Sequence, residues 1–247
     1  MTGPYGSRTP EPRATLGAGN PAPEKPPGLA LVTAHGVGRR YGRGASAVVA
    51  LASATCTVAP GDRIALMGPS GSGKSTLLYL MGGLETPTSG EISWPALGAR
   101  DTLRPGRVAF VFQMPSLLPP LSVVENAELP LLLQGSDVAA ARRSALVALE
   151  RMNLAGLADK LPEELSGGQA QRVAMARALA AGPALILADE PTGQLDHRTA
   201  GHVLDVACEA LKGTPAALVI ATHDPVVAAR MDVVWRIHHG VLQGPSR

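Results

Sequence analysis

Apolar positions along this chain follow two periods. Continuous apolar runs at 63–67, 107–112, 184–189 and 216–221 predict strands covered on both faces, as in a parallel sheet. Residues 47–58 instead alternate at Val49, Leu51, Ser53 and Thr55, which predicts a further strand. Ser136-Asp137 opens a helix through about Met152, with Val138, Ala141, Ala145, Leu146 and Leu149 as its apolar positions. Further helices are expected at 167–181, 197–211 and 225–230, and further strands at 29–37, 91–94, 232–237 and 240–243. Strands that alternate with helices predict an α/β fold around a mostly parallel core sheet.

Residues 1–28 break this pattern. They carry Pro4, Pro10, Pro12, Pro21, Pro23, Pro26 and Pro27 and few large apolar groups. Such a segment buries too little surface to offset its ordering entropy, so a disordered tail is expected. The folded domain is expected over 29–247.

The chemistry begins where the strand at 63–67 meets a helix. Gly68, Pro69, Ser70, Gly71, Ser72, Gly73, Lys74, Ser75 and Thr76 form a phosphate-binding loop pattern. Its glycines let backbone N–H groups turn inward onto one anion. Lys74 is placed to reach β- and γ-phosphates, and the Ser75 hydroxyl to ligate Mg²⁺. The helix start favours anions as well.

Leu165-Ser166-Gly167-Gly168-Gln169 is a second helix start. Ser166 is a good N-cap, and Gly167 and Gly168 leave backbone N–H groups open to another anion. If the two cradles lie far apart in one subunit, a head-to-tail dimer brings one copy's loop to the other copy's Ser166-Gly167-Gly168. Asp189 ends the apolar strand at 184–189, where it suits Mg²⁺ held through water. Glu190 beside it is the candidate general base for an attacking water. Gln113 and His223 each follow an apolar strand.

In these motifs the chain resembles the ATP-binding cassette family, the ATPase subunits of ABC transporters, over roughly residues 29–243. The signature Leu165–Gln169 and its continuation Gln171-Arg172-Val173-Ala174-Met175-Ala176-Arg177-Ala178-Leu179 carry the resemblance most specifically. It implies a cassette with a small antiparallel β subdomain and a helical subdomain at about 114–181. It makes Gln113 a Mg²⁺ ligand that links the ATP site to the helical subdomain. His223 becomes the γ-phosphate sensor paired with Glu190, and Tyr41 the ring that stacks on adenine. Gly193-Gln194-Leu195-Asp196 resembles the loop that crosses the dimer interface, although Gln194 departs from the Asn or Ala usual there. Residues 166–169 are expected to act in trans, from a second cassette copy.

Gln113–Asn126, Met81-Gly82-Gly83-Leu84 and Leu187–Gly193 are similar to the macrolide-exporter and lipoprotein-release branch, with the cell-division signalling cassette as a neighbour. That branch implies a separate integral membrane permease, docked after the glutamine on the apolar stretch 114–133, and a place on the cytoplasmic face of the cell membrane. A signalling complex that moves no substrate stays open as an alternative. Soluble translation or repair cassettes are disfavoured, because the chain has one cassette and no long insertion between Lys74 and Ser166.

Composition sets outer bounds. The 247 residues suffice for one large domain with a substantial core or for two small ones. A net charge of +2 is too small to argue for nucleic acid. Cys56 and Cys208 make no disulfide framework or metal spacing and suit a reducing compartment. His238-His239 is rejected as a metal pair, because neighbours on a strand point to opposite faces. No apolar run approaches the ~18 residues of a membrane span.

Overall fold

The computed structural model describes Met1, residues 29–193 and residues 195–246. Apart from Met1, the expected tail lies outside the described residues, and so does Gln194. The elements run β1 (Val32–Tyr41), β2 (Val48–Val58), β3 (Arg63–Met67), α1 (Lys74–Met81), β4 (Ser89–Ser93) and β5 (Val108–Val111). They continue as α2 (Val123–Leu133), α3 (Val138–Arg151), α4 (Gly167–Ala180), β6 (Leu185–Asp189) and α5 (His197–Leu211). The chain closes with β7 (Ala217–Thr222), α6 (Pro225–Ala228), β8 (Val233–His238) and β9 (Val241–Ser246).

Among the described residues the strands form one sheet in the order β4-β1-β2-β9-β8-β3-β7-β6-β5. The block β8-β3-β7-β6-β5 is parallel throughout. At the other end β1 pairs antiparallel with both β2 and β4. Between these blocks β9 pairs parallel with β2 and antiparallel with β8, so the fold is α/β around a mostly parallel core.

The continuous apolar runs have a direct explanation in packing. Successive strand residues point to opposite faces, and each face has its own cover. Ile64, Leu66, Leu185, Leu187, Ala217 and Val219 pack with Leu77, Leu78 and Met81 of α1 and with Val32 and Leu51 of the antiparallel strands. Ala65, Ile186, Ala188, Leu218 and Ile220 face the other way, onto Val124, Leu149, Met175 and Val203 of α2 to α5. Each large side chain buried this way is worth about 1.5–3 kcal/mol. Two covered faces leave no position on the central strands for a polar residue until the strands end.

Helix α2 was not among the expected helices. The sequence signal for it is present in Ser122 and Glu125, which form a capping box. Ser122 N–H donates to Glu125 Oε2 at 2.7 Å, and Glu125 N–H donates to Ser122 Oγ at 3.4 Å. Buried Asn126 ties the preceding loop to this helix, with Oδ1 accepting from Leu118 N–H at 2.8 Å and Nδ2 donating to the Leu121 carbonyl at 2.9 Å. Buried Glu128 joins α2 to α3 through two bonds from Arg142, at 2.5 and 2.9 Å.

The geometry assumed for His238-His239 needs correction. His238 ends β8, but His239 turns with φ +47°. The left-handed turn places the two rings edge to face, with centroids 4.1 Å apart. The opposite-face argument fails because His239 is a turn residue, not a strand residue. Among the described residues no group of three or more His, Cys, Asp and Glu is arranged to hold a metal ion.

Candidate functional site

The parallel strands β3, β6 and β7 end on the same side of the sheet, and the loops that follow them meet there. The first is the turn from β3 into α1. Gly73 adopts φ +104°, and a Cβ there would lie 2.5 Å from the Ala50 carbonyl oxygen. A Cβ on Gly68 would lie 2.4 Å from the Ile237 carbonyl oxygen. These two positions therefore exclude any side chain, the first by backbone conformation as well as by space. Gly71 has φ +73° with open space around it, so only conformation selects glycine there. Ser72 is buried, with Oγ unpartnered and its carbonyl accepting from Gly240 N–H at 3.0 Å.

Lys74 begins α1 and is only 5% exposed. Its ammonium folds back over the loop, donating to the carbonyls of Gly68 at 2.9 Å and Pro69 at 3.1 Å. It also lies 3.6 Å from Glu190 Oε1. A buried cation so placed leaves the loop a positive centre for an anion.

The loop after β6 supplies two carboxylates of different character. Asp189 is the last strand residue and is buried. Burial raises its carboxyl pKa above the usual value, and the charge of Glu190 adds to this. Hydrogen bonds from Ser75 and Tyr79 and the charge of Lys74 pull the other way. Glu190 turns out of the strand with φ +45°. Its N–H donates to the Ala221 carbonyl at 2.9 Å, and its own carbonyl accepts from Gly193 N–H at 3.1 Å. That turn brings Oε1 within 3.3 Å of His223 Nδ1, in the loop after β7.

A cavity of about 700 Å³ opens over these groups. Pro69, Ser70, Gly71, Gly73, Lys74, Ser75, Thr76, Gln113, Asp189, Glu190 and His223 line it, together with Val48, Val49 and Ala50 of β2. Gly68 and Ser72, expected to hold phosphate, are not among the lining residues. Tyr41 sits beside the cavity, paired across the strands with Val48. The Arg39 guanidinium lies over the Tyr41 ring, 4.7 Å from its centroid.

Ser166–Gln169 is elsewhere. Ser166 caps α4, with its N–H donating to Gln169 Oε1 at 2.8 Å and its Oγ accepting from Gln169 N–H at 3.2 Å. Residues 165–169 do not line the phosphate cavity. The two anion cradles of this chain therefore open at separate places.

Two residues of the signature continuation, given no role of their own in the sequence, join this machinery. Buried Gln171, on α4, donates from Nε2 to the Phe112 carbonyl at 3.1 Å. Arg177 of the same helix donates to the carbonyls of Ser116 at 3.0 Å and Pro115 at 3.1 Å. Together they tether the chain on both sides of Gln113 to the helix that Ser166 caps.

The chain is similar to known proteins over most of its length. The sequence model described as ABC transporter matches residues 51–193. The lipoprotein-releasing system ATP-binding protein LolD of Xanthomonas campestris pv. campestris (strain 8004) is 42% identical over 223 residues, which are 87% of this chain and 93% of that protein. LolD of Legionella pneumophila (strain Paris) is 44% identical over 219 residues, covering 86% of this chain and 96% of that protein. A solved ATP-binding cassette, dimeric in a post-hydrolysis state with ADP and Pi, superimposes with a TM-score of 0.80 at 34% identity. That match covers 87% of this chain and 98% of the cassette.

Proposed function

This chain belongs to the ABC transporter family, and we propose that it is the ATP-hydrolysing subunit of a lipoprotein-releasing complex, working beside an integral membrane permease. The observation that carries the ATPase chemistry is the convergence of Lys74, Glu190 and His223 on one cavity of about 700 Å³. The relatives named as lipoprotein-releasing ATP-binding proteins support the choice of cargo class.

The residues divide the work as follows. The N–H groups of Ser70, Gly71, Gly73 and Lys74 and the start of α1 bind the phosphates. Lys74 exchanges the carbonyls of Gly68 and Pro69 for phosphate oxygens as the nucleotide enters. Glu190 accepts the proton of the attacking water. His223 holds Glu190 and meets the γ-phosphate. Tyr41 offers a ring to adenine, where stacking is worth about 1–3 kcal/mol.

The donors around the cavity fit magnesium. Ser75, Gln113 and Asp189 present oxygen atoms to one space, which suits a hard cation that keeps several waters and leans on phosphates. Ser75 and Gln113 would hold it directly and Asp189 through water. Bound there, magnesium supplies charge neutralisation between the β- and γ-phosphates.

Ser166–Gln169 lies outside this cavity, so a second copy completes the site in our reading. Ser166, Gly167 and Gly168 of that copy close over the γ-phosphate, and the loop at 193–196 crosses the interface. The dimeric cassette holding ADP and Pi supports this arrangement. ATP then shifts the population toward the closed dimer, and hydrolysis releases it.

The helices between 114 and 181 form the subdomain that transmits closure. A groove of about 450 Å³ beside it, lined by Leu84, Phe112, Leu129, Pro130 and Leu133, is the surface we assign to the permease. Among the described residues no helix is long and apolar enough to cross a membrane. We place the chain at the cytoplasmic membrane surface through that partner.

The test is the variant Ser166→Arg. Calorimetry is expected to show ATP binding to the monomer within about twofold of the parent, while phosphate release falls to background. Parent-like turnover in the purified variant rejects the cross-subunit site. In Lys74→Ala, unaltered ATP affinity rejects the assignment of the loop.

A further inference from the structure

A second cavity, of about 440 Å³, adjoins the one over the phosphate loop, and Pro69 and His223 line both. Strand register builds one of its walls. Met67, the last residue of β3, pairs with Thr222 of β7 on one side and with Arg236 of β8 on the other. Arg236 pairs in turn with Gln243 of β9. Residues level with one another across a sheet share a face, and so do residues two apart on a strand. Arg236, Gln243 and His238 therefore stand together on the face that carries Met67, and all three line the cavity.

The chemistry of that wall is one-sided. Arg236 offers a guanidinium fork that suits phosphate oxygens, Gln243 an amide donor and His238 an imidazole. An edge-to-face contact with His239 braces the His238 ring. Among the described residues that line the cavity none is acidic. The carboxylate of Asp224, next to His223 in the chain, is engaged at the start of α6, where its Oδ1 accepts from Val226 N–H at 2.7 Å. Among the described residues the Arg236 guanidinium has no ion-pair or hydrogen-bond partner. His223 stands between the two cavities. Its Nδ1 faces Glu190, and its side chain is 67% exposed, so little packing opposes a turn of the ring.

We propose that this cavity is a binding site for inorganic phosphate, anchored by Arg236, which takes the product as it leaves the Glu190 side. The proposal rests on the ATPase reading of the larger cavity. In that reading the second copy covers the γ-phosphate position and ADP still fills the loop, and the wall at His223 is a side that neither covers. Charge favours the same direction. Cleavage leaves the phosphate beside the phosphates of ADP and the carboxylate of Glu190, which repel it. Arg236 supplies the opposite charge on the far side of His223. No bond is made or broken in this step, and the anion moves from one set of donors to another.

The experiment titrates inorganic phosphate into the full chain, with ADP saturating the loop and EDTA present, and follows binding by phosphorus NMR. Arg236→Gln removes the charge and keeps a polar side chain. It is expected to weaken phosphate binding at least about 10-fold, the loss of a charge-assisted hydrogen bond, with ADP affinity and the melting midpoint unchanged. Arg236→Lys, which restores the charge, is expected to recover part of the affinity. A second arm follows the protein's own product through a single turnover of ATP, with acid quench reading cleavage and a fluorescent phosphate sensor reading release. In Arg236→Gln cleavage is expected at the parent rate and release several-fold slower. Equal phosphate affinity in the parent and Arg236→Gln overturns the site. Weaker binding with parent-like release assigns the site to phosphate from solution and overturns the product route. A parent protein that binds phosphate but cleaves no ATP overturns the ATPase reading and leaves the anion site standing.

Discussion

His223 Nδ1 lies 3.3 Å from Glu190 Oε1, and that same carboxylate oxygen lies 3.6 Å from Lys74 Nζ. One oxygen thus faces an imidazole on the β7 side and an ammonium on the α1 side. Its position depends on the left-handed turn at Glu190, with φ +45°. Without that turn the side chain would continue the alternation of β6 and face away from at least one partner. The glutamate is consequently held by contacts on both sides of the cavity before any substrate arrives.

Glu190→Gln keeps the shape of this side chain and removes its capacity to take a proton. Phosphate release is expected to fall at least ~100-fold, the usual worth of a positioned general base. ATP affinity is expected to hold within a few-fold. With ATP present the variant is expected to elute as a dimer in size-exclusion chromatography. Undiminished phosphate release would remove Glu190 from the role of base.

Asp189→Asn separates stability from chemistry. Burial raises the folded-state pKa of Asp189, so its ionised form is less favourable in the fold than in the unfolded chain. The wild type carries this cost at every pH above the raised value. It is relieved as pH falls through that value into the ordinary carboxylate range. The nucleotide-free Asn variant is therefore expected to melt above wild type at pH 7, with the gap narrowing on acidification. Its Mg²⁺-dependent ATPase is expected to be lost. A variant that melts below wild type at pH 7 would show that the charge of Asp189 stabilises the fold.

Gly73→Ala tests the loop by sterics alone. The new Cβ would sit 2.5 Å from the Ala50 carbonyl oxygen on a residue at φ +104°. Relief requires β2 and the loop to separate, at a cost of about 1–3 kcal/mol. Urea unfolding is expected to show this loss, and calorimetry a weaker affinity for ATP. A midpoint matching the parent would mean that the loop relaxes freely.

Cys56 offers a chemical check on the β1–β2 packing. Burial pushes its thiol pKa up to about 12. At pH 8 about one thiol in ten thousand is then thiolate, the form that alkylates. Iodoacetamide is expected to leave Cys56 unmodified in the native protein and to label it in urea, as peptide mass spectrometry would report. Rapid labelling of the native chain would contradict the packing of β2.

Much of the architecture is legible in the residues because it is local. The double-faced apolar runs at 63–67, 184–189 and 216–221 state that helices cover both sides of a sheet. Ser166 followed by two glycines announces a capped helix, since the capping bonds join residues three apart. Helix α2 was equally local, through Ser122 and Glu125, but the apolar stretch around it read as a docking surface and hid the cap. His239 misled for the opposite reason. Its turn is closed by Gly240, and a dipeptide inspected alone says nothing about where a strand stops.

By itself, then, the sequence determined the backbone chemistry of this protein: where glycines must turn, where anions are favoured, and which strands are covered on both faces. The tertiary structure alone decided which side chains meet. Lys74 stands 116 residues before Glu190, and Glu190 33 before His223, and no spacing along the chain encodes their 3.3 and 3.6 Å approaches. Strand order does, because β3, β7 and β6 lie side by side and parallel, so their ends and the loops that follow them share one edge. The separation of Ser166 from the cavity comes from the same source.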